Sequence, residues 1–447
     1  MDALLNRPIS RRNVLAAAGL AGVGVAAARF VDLEALTRGL SSVPTPAGQW
    51  PNALATDAGR VAHLLRRAGF GYSAADFEAS IQLRYPNLVE KLLNPGSETV
   101  TPPPDLLKID GLRTWWMTRM VTSPNPLREK MTLFWHGFLT TDYRKLGNKQ
   151  PHMYNQNVLY RQQGMSNFRS LLQATSRNPA MMLYLDLQTS RKGAPNENYA
   201  RELMELFTMG PGNYTETDVR EAARALTGWT VKDAASVFNP KLHDDGQKTF
   251  LGMTGNLGMD DVIDRILAQP ANAPFVATKF ARYFVTPSPS VGYVRRLAEV
   301  LTQSKWDITA LLRAIFLSPE FLAPSSYRAL VKSPAEFVAS ALRAVGGDHS
   351  VQAGVGQMLA MDQVLFDPPT VAGWPSDGGW ITSNTLLGRI NFVQDLVTRV
   401  KTLPPEAQAR KPQLDDSLSP QTALMLGERR GVDSWYTALI ATEFQLK

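Results

Sequence analysis

The 447-residue sequence contains no cysteine. This absence excludes disulfide bonds, cysteine-ligated zinc, iron–sulfur clusters and thiol catalysis. It does not identify a compartment, because a chain without cysteine is suited to either redox environment. A divalent metal would therefore need oxygen or nitrogen ligands, which favours Ca²⁺, Mg²⁺, Mn²⁺ or non-haem iron over structural zinc.

Several familiar signatures are also missing. The sequence has no His-Glu-x-x-His, Gly-x-Ser-x-Gly, Walker or dinucleotide-binding pattern, which disfavours zincin, α/β-hydrolase, P-loop and Rossmann functions. Lysine and arginine are scattered among acidic residues, so there is no electrostatic basis for nucleic-acid binding. No run of 18 apolar residues follows the N-terminal region, and we expect no membrane span in the mature chain.

The N-terminus has the features of an export signal. Twin arginines at Arg11 and Arg12 precede a 15-residue apolar stretch, Val14 to Ala28, which is rich in alanine and glycine. The stretch is shorter than the ~20 residues that a membrane span needs, but it is typical of a twin-arginine signal peptide. We expect export by this route to the periplasm or the extracellular space. Removal of residues 1–28 takes away three arginines and one aspartate, which lowers the formal net charge from +7 to +5.

The rest of the chain predicts a mainly α fold with a small β-hairpin excursion near residues 230–255. Apolar residues recur at helical spacing, as at Val61, Leu64, Leu65 and Ala68. We divide the chain into three segments: a signal peptide (1–28), a flexible linker (29–56) and a single helical domain (57–447).

The hairpin prediction depends on short strand-like segments. One arm is expected at 229–231 or 236–238, and the other at 248–250. The turn-forming sequence Asp244-Asp245-Gly246 would lie near the tip.

The most informative segment surrounds residues 195–210. Pro195-Asn196 predicts a helix start at Glu197 and Gly210 predicts its end, which gives a helix of about 13 residues. Its polar side chains share one half of the cylinder; they belong to Glu197, Asn198, Arg201, Glu202 and Glu205. A second helix should follow, with Thr215 as its cap and Asp218 completing a capping box.

The polar half of the first helix has two interpretations. In one, it is a solvated face with i, i+4 ion pairs, each contributing a few tenths of a kcal/mol. In the other, the face lines a pocket, where closely spaced carboxylates shift each other's pKa and act as acid, base or metal ligands. The spacing leaves both open.

Eight segments together resemble a known family. They are Pro195–Gly210 (PNENYARELMELFTMG), Tyr214–Trp229 (YTETDVREAARALTGW), His63–Gly71 (HLLRRAGFG), Phe134–His136 (FWH), His243–Gly252 (HDDGQKTFLG), Lys332–Val338 (KSPAEFV), Asp367–Pro375 (DPPTVAGWP) and Glu443–Gln445 (EFQ). This set resembles the bacterial family of exported proteins catalogued as domain of unknown function 1800. One departure is that Gly137-Phe138-Leu139 stands where the family often has Asn-His-Phe, so a second histidine is missing.

The resemblance implies an exported protein of unassigned activity. Members are often encoded beside an exported sulfatase-like family, which suggests a co-exported sulfatase-like partner for this chain. The resemblance therefore bears on fold and export more than on chemistry.

Histidines and tryptophans outside the central helix add candidates. His136 lies in an apolar segment, where it is either a core residue or a catalytic one. His243 beside Asp244 is a candidate metal site in a loop, a place where functional residues concentrate. Trp229 and Trp374 adjoin glycines in loop-like stretches, as does Trp380; such rings either pack in the core or form platforms for sugar rings.

Two functions are consistent with these residues. The first is a hydrolase or lyase acting on envelope or extracellular polysaccharide. Its catalytic groups would be Glu197, Glu202, Glu205 and His136; its substrate-binding residues would be Asn198, Arg201, Trp229 and Trp374; its metal ligands would be His243 and Asp244. The second is a non-catalytic partner or scaffold for the sulfatase-like protein.

Overall fold

The computed structural model describes residues 53–447, except 104, 148, 347–349, 406 and 409–416. These residues belong to one compact unit. The predicted signal peptide, and the predicted linker as far as residue 52, lie outside the described residues.

Helices dominate the described residues, which confirms the predicted mainly α fold. They are α1 (Asp57–Arg67), α2 (Ala74–Ile81), α3 (Tyr85–Leu93), α4 (Ile109–Thr122), α5 (Pro126–Phe138), α6 (Gln150–Gln163), α7 (Phe168–Ser176), α8 (Pro179–Tyr184), α9 (Asn198–Glu205), α10 (Glu216–Ala225), α11 (Met259–Leu267), α12 (Asn272–Phe284), α13 (Val291–Gln303), α14 (Ile308–Phe316), α15 (Pro334–Val345), α16 (Val351–Gln357), α17 (Ser383–Arg399), α18 (Pro420–Glu428), α19 (Gly431–Ile440) and α20 (Thr442–Gln445). Within this part of the chain, none of the helices has both the length and the apolar character of a membrane span.

The β structure is small, as predicted, but its pairing differs from the prediction. Strands β1 (Trp229–Lys232) and β2 (Ala235–Phe238) form one antiparallel hairpin, and β3 (Lys248–Phe250) and β4 (Met253–Gly255) form another. The predicted hairpin with its tip at residues 244–246 is therefore wrong. The chain turns earlier because Asp233 and Ala234 both adopt positive φ, the conformation that a tight two-residue turn requires.

The central helix α9 is shorter than predicted. Its regular hydrogen bonding ends after Glu205, where the amides of Met209 and Gly210 both donate to the carbonyl of Met204. Gly210 adopts φ +80°, which favours glycine and closes the helix end. In α10, Thr215 and Asp218 form the predicted capping box.

An aromatic core holds α5 against α12. The Phe134 ring centroid lies 4.6 Å from that of Phe280, and the Trp135 ring lies 5.7 Å from the same residue. Both α5 residues are buried. This packing fixes the neighbouring faces of the two helices, and a cavity opens beside them.

Candidate active site

A cavity of about 380 Å³ lies beside α5 and α12, in the size range of small-molecule sites. We call it the aromatic cavity. Residues from α5, α12, the start of α15, the loop 372–380 and the C-terminal segment line it; those used below are Gly137, Phe138, Lys279, Arg282, Tyr283, Ser333, Glu336, Trp374, Asp377, Trp380 and Lys447.

Helix α12 provides the polar wall. Arg282 and Tyr283 follow Lys279 by three and four residues, so both lie on the same side of the helix as Lys279. The Nζ atom of Lys279 lies 5.3 Å from the ring centroid of Phe138. The hydroxyl oxygen of Tyr283 is buried and has no hydrogen-bond partner in the described part of the chain. Tyr283 therefore brings an unpaired, buried hydroxyl next to the cavity, as judged from the described residues.

The loop 372–380 forms another wall of the cavity, and its position depends on Gly373. Gly373 adopts φ +93°, and a Cβ atom there would lie 2.1 Å from the carbonyl oxygen of Gly137. Only glycine allows the loop this close to α5. The next residue, Trp374, then lies against Gly137, and its buried Nε1 also lacks a partner among the described residues.

The inner end is built around Glu336. Ser333 caps α15 in a capping box, and its amide donates to Oε2 of Glu336 at 2.8 Å. The other oxygen, Oε1, accepts hydrogen bonds from Lys130 and Lys447. A backbone bridge between Val331 and Leu446 brings Lys447 to this place.

Burial governs the protonation of these groups. It lowers the pKa of Lys130 to about 7, since Glu336 only partly offsets the loss of hydration. Burial by itself raises the pKa of Glu336, but the two lysines outweigh it and hold that pKa well below its usual range. Burial also raises the pKa of Tyr283. It lowers the pKa of Lys279, and the charge of nearby Arg282 adds to this effect.

His136 lies behind this site. Its ring is buried among those of Trp116, Phe366 and Trp374, with centroid distances of 5.4, 5.4 and 5.3 Å. Burial lowers its pKa to about 3, so the imidazole is neutral at ordinary pH. The residue is not part of the cavity lining, and its direct contact with the site is through Trp374.

The predicted polar residues of α9 lie elsewhere. Arg201 forms two hydrogen bonds with Glu216, both 2.7 Å, and contacts Glu197 at 3.3 Å. Asn198 donates to Asp186 at 3.4 Å. In the described part of the chain, no hydrogen bond, ion pair or ring contact joins α9 to His136 or Trp374.

Glu202 and Glu205 differ in their surroundings. The hydroxyl of Tyr214 donates to Glu205 at 2.8 Å. Burial raises the pKa of the half-buried Glu202, and the charge of Glu205 adds to the shift. Among the α9 carboxylates, Glu202 is therefore the best suited to act as a general acid, because its pKa is raised.

The remaining predicted residues belong to the hairpin region. Nδ1 of His243 donates to the carbonyl of Thr227 at 3.0 Å, while Asp244 accepts from Arg224 at 2.8 Å. Trp229 packs on Phe238 with ring centroids 5.3 Å apart. Over the described ranges, no group of three or more histidine, aspartate or glutamate side chains is arranged to hold a metal ion. The metal site at His243 and Asp244 stays a prediction.

The structure thus unites segments that the sequence separates by hundreds of residues. The sequence predicts candidate roles for His136, Trp374 and Trp380. It gives no such prediction for Lys130, Tyr283 or Lys447. A signal for Glu336 existed, because Lys332–Val338 is one of the family-like segments. Five of those segments meet here: His63–Gly71, Phe134–His136, Lys332–Val338, Asp367–Pro375 and Glu443–Gln445.

Comparison with known proteins agrees with the resemblance. The model of a family described as "Protein of unknown function (DUF1800)" matches residues 63–445, most of the chain. No curated protein and no solved structure matches.

Proposed function

Since the chain belongs to the DUF1800 family, whose description assigns no activity, we propose from the geometry of the site that it is a hydrolase or lyase acting on envelope or extracellular polysaccharide. The substrate binds in the aromatic cavity. The observation that carries this proposal is the lining itself, in which the rings of Phe138, Trp374 and Trp380 adjoin unpaired hydrogen-bond donors.

These features suit a sugar. Aromatic faces pack against the apolar faces of pyranose rings, and hydroxyl groups pair with polar side chains at the ring edge. Leaving a buried donor unpaired costs about 1–3 kcal/mol. Substrate hydroxyls that pair with Tyr283 and with Nε1 of Trp374 would remove that cost.

The cavity also offers groups that can interact with the glycosidic oxygen. The phenol of Tyr283 stays neutral because burial raises its pKa, so it is a hydrogen-bond donor for this oxygen. Lys279 is a cation on the same wall and is placed to stabilise negative charge that develops on this oxygen. Glu336 is unsuited to donation because its two lysine partners keep it ionised.

The twin-arginine leader supports the location of this activity. Residues 1–28 have the basic, apolar and small-residue parts of an export signal, and we propose that the enzyme acts outside the cytoplasm.

The activity test compares two tryptophans. Purified protein is incubated with neutral and acidic polysaccharides, and new reducing ends are measured. Trp374→Ala should lower kcat/KM at least about tenfold, which corresponds to ~1.4 kcal/mol. Trp229→Ala is the control, because that half-buried ring packs on Phe238 away from the cavity. Equal activity in both variants would contradict the assignment, as would an inactive wild-type protein.

Two further variants distinguish the aromatic cavity from the α9 face as the site of chemistry. Tyr283→Phe should abolish turnover and leave the fold intact, because the hydroxyl has no partner to lose among the described residues. Glu202→Gln should leave turnover unchanged. The reverse pattern would place the chemistry on α9.

The second candidate function is a non-catalytic partner of a co-exported sulfatase-like protein. Its support is the exposure of Val237 and Phe238 on β2, each 43% exposed in a two-stranded sheet. Co-purification with that protein, lost in Phe238→Ser and without polysaccharide cleavage, would favour this function over the enzymatic one.

A further inference from the structure

We propose that the inner end of the aromatic cavity is an anion site, formed by Lys447 and Tyr283 with buried cations behind them, which recognises an acidic group on the sugar. The ligand class is a saccharide that bears a carboxylate or a sulfate. This inference rests on the proposed function and names the substrate class of the same site.

The first support is an imbalance of buried charge. Five side chains that interact electrostatically with Glu336 are cationic and no more than 4% exposed; they are Arg67, Lys130, Lys332, Arg389 and Lys447. A second side-chain carboxylate, that of Asp377, also acts on Arg67 and Lys447. One or two carboxylates cannot balance these five groups when all of them are protonated, and unbalanced buried charge is costly. The lowered pKa values of Lys130 and Lys332 reflect this cost.

The second support is what the cations bond to. Lys130 donates to the carbonyl oxygen of Gly69 at 2.8 Å, and Arg67 donates to that of Phe284 at 3.2 Å. Arg389 donates to the carbonyl oxygen of Lys332 at 2.7 Å. These neutral acceptors satisfy N–H groups without adding negative charge. The hydrogen bonds hold these basic groups in place, and any positive charge that they carry is not cancelled by their acceptors.

The third support is access. Lys447 and Tyr283 line the cavity, whereas Lys130 lies behind them with its Nζ 5.8 Å from the Tyr283 ring. Lys279 and Arg282 add two cations from α12. The three lining cations, Lys279, Arg282 and Lys447, outnumber the two lining carboxylates, Glu336 and Asp377. A concave site with a net positive charge concentrates anions. The phenol of Tyr283, buried and without a partner in the described ranges, supplies a neutral donor at the same place.

Anion binding should also be linked to protons. Burial lowers the pKa of Lys130 to about 7 and lowers that of Lys447 as well. A bound anion stabilises the charged lysines and raises these pKa values. At pH 8, binding should therefore take up protons from solution.

The test uses sodium glucuronate and inorganic sulfate as probes, with glucose as the neutral control, at constant ionic strength. Calorimetry at pH 8 in two buffers of different ionisation enthalpy measures affinity and proton uptake together. We expect the wild-type protein to bind at least one anion more tightly than glucose, with proton uptake. Preference for glucuronate indicates a carboxylate ligand, and preference for sulfate indicates a sulfated one.

Two variants locate the binding. Lys447→Met should weaken anion affinity at least tenfold, whereas Lys241→Met, in a surface turn outside the cavity, should not change it. Tyr283→Phe removes the unpaired donor without altering charge and should also weaken binding, which keeps the test valid if Lys447→Met does not fold. Anion affinity that is undetectable, or equal in wild type and Tyr283→Phe, would overturn the inference.

The result of the anion-binding measurement can be separated from the result of the cleavage assay. A protein that cleaves neutral polysaccharide but binds neither anion refutes the anion site alone. A protein that binds glucuronate or sulfate with proton uptake but cleaves nothing refutes the enzymatic proposal alone.

Discussion

The imidazole of His136 illustrates how surroundings set the role of a residue. Three aromatic rings surround it, and its Nε2 atom is buried without a partner among the described residues. A group in such a place resists protonation because the charged form loses its hydration. The residue therefore packs against Trp374 as a neutral imidazole.

This burial predicts an acid-dependent loss of stability. The pKa of His136 is about 3 when folded and 6.5 when unfolded, so between these values the unfolded chain binds more protons. The free energy of unfolding should fall as pH drops from 6.5 towards 3, by up to about 1.4 kcal/mol per pH unit from this residue.

His136→Phe provides the measurement. The variant should unfold with a shallower pH dependence in that window, as followed by urea denaturation at several pH values. His63 is also buried with a lowered pKa, so His63→Phe is a matched comparison and should reduce the slope as well. An unchanged slope in His136→Phe would show that this imidazole is protonated in the folded state.

Among the elements, α10 shows what local sequence can predict. Thr215 accepts from the amide of Asp218 at 3.1 Å, and the Asp218 carboxylate accepts from the amide of Thr215 at 2.9 Å. Both bonds involve residues three positions apart, so the sequence alone predicted them. The two hairpins are more difficult to predict, because their turns depend on positive φ at Asp233, Ala234 and Leu251. The identities of these residues do not by themselves predict that backbone conformation.

The capping box predicts a specific loss of stability. Thr215→Ala removes the side-chain oxygen that pairs with the first turn of α10 and should cost about 1 kcal/mol in the free energy of unfolding. Thr217→Ala, two residues into the same exposed turn, is the control and should change stability by less than about 0.5 kcal/mol. Equal losses in urea denaturation would mean that the cap contributes nothing.

At the scale of the molecule, the site is formed by residues that are far apart in the sequence. Lys130, Glu336 and Lys447 meet although some 200 residues separate the first from the second and more than 100 the second from the third. Periodicity predicts that these residues lie on helices or at a chain end, but not that three buried charges converge. The polar residues of α9 are close together in the sequence, so helical periodicity predicts that they share one face. The cavity residues are adjacent only in space, and for that reason the sequence did not reveal them.

This architecture predicts uneven stability against hydrogen exchange. Helices α5 and α12 are buried against each other, so their amides should exchange only when the whole molecule unfolds. Strand β2 pairs with β1 alone, and its Val237 and Phe238 are exposed, so its amides should exchange through local opening at a lower free energy. Hydrogen exchange with mass spectrometry at increasing denaturant distinguishes the two, because only global unfolding is strongly denaturant-dependent. Protection of β2 equal to that of α5 would mean that the hairpin unfolds together with the helices that carry the site.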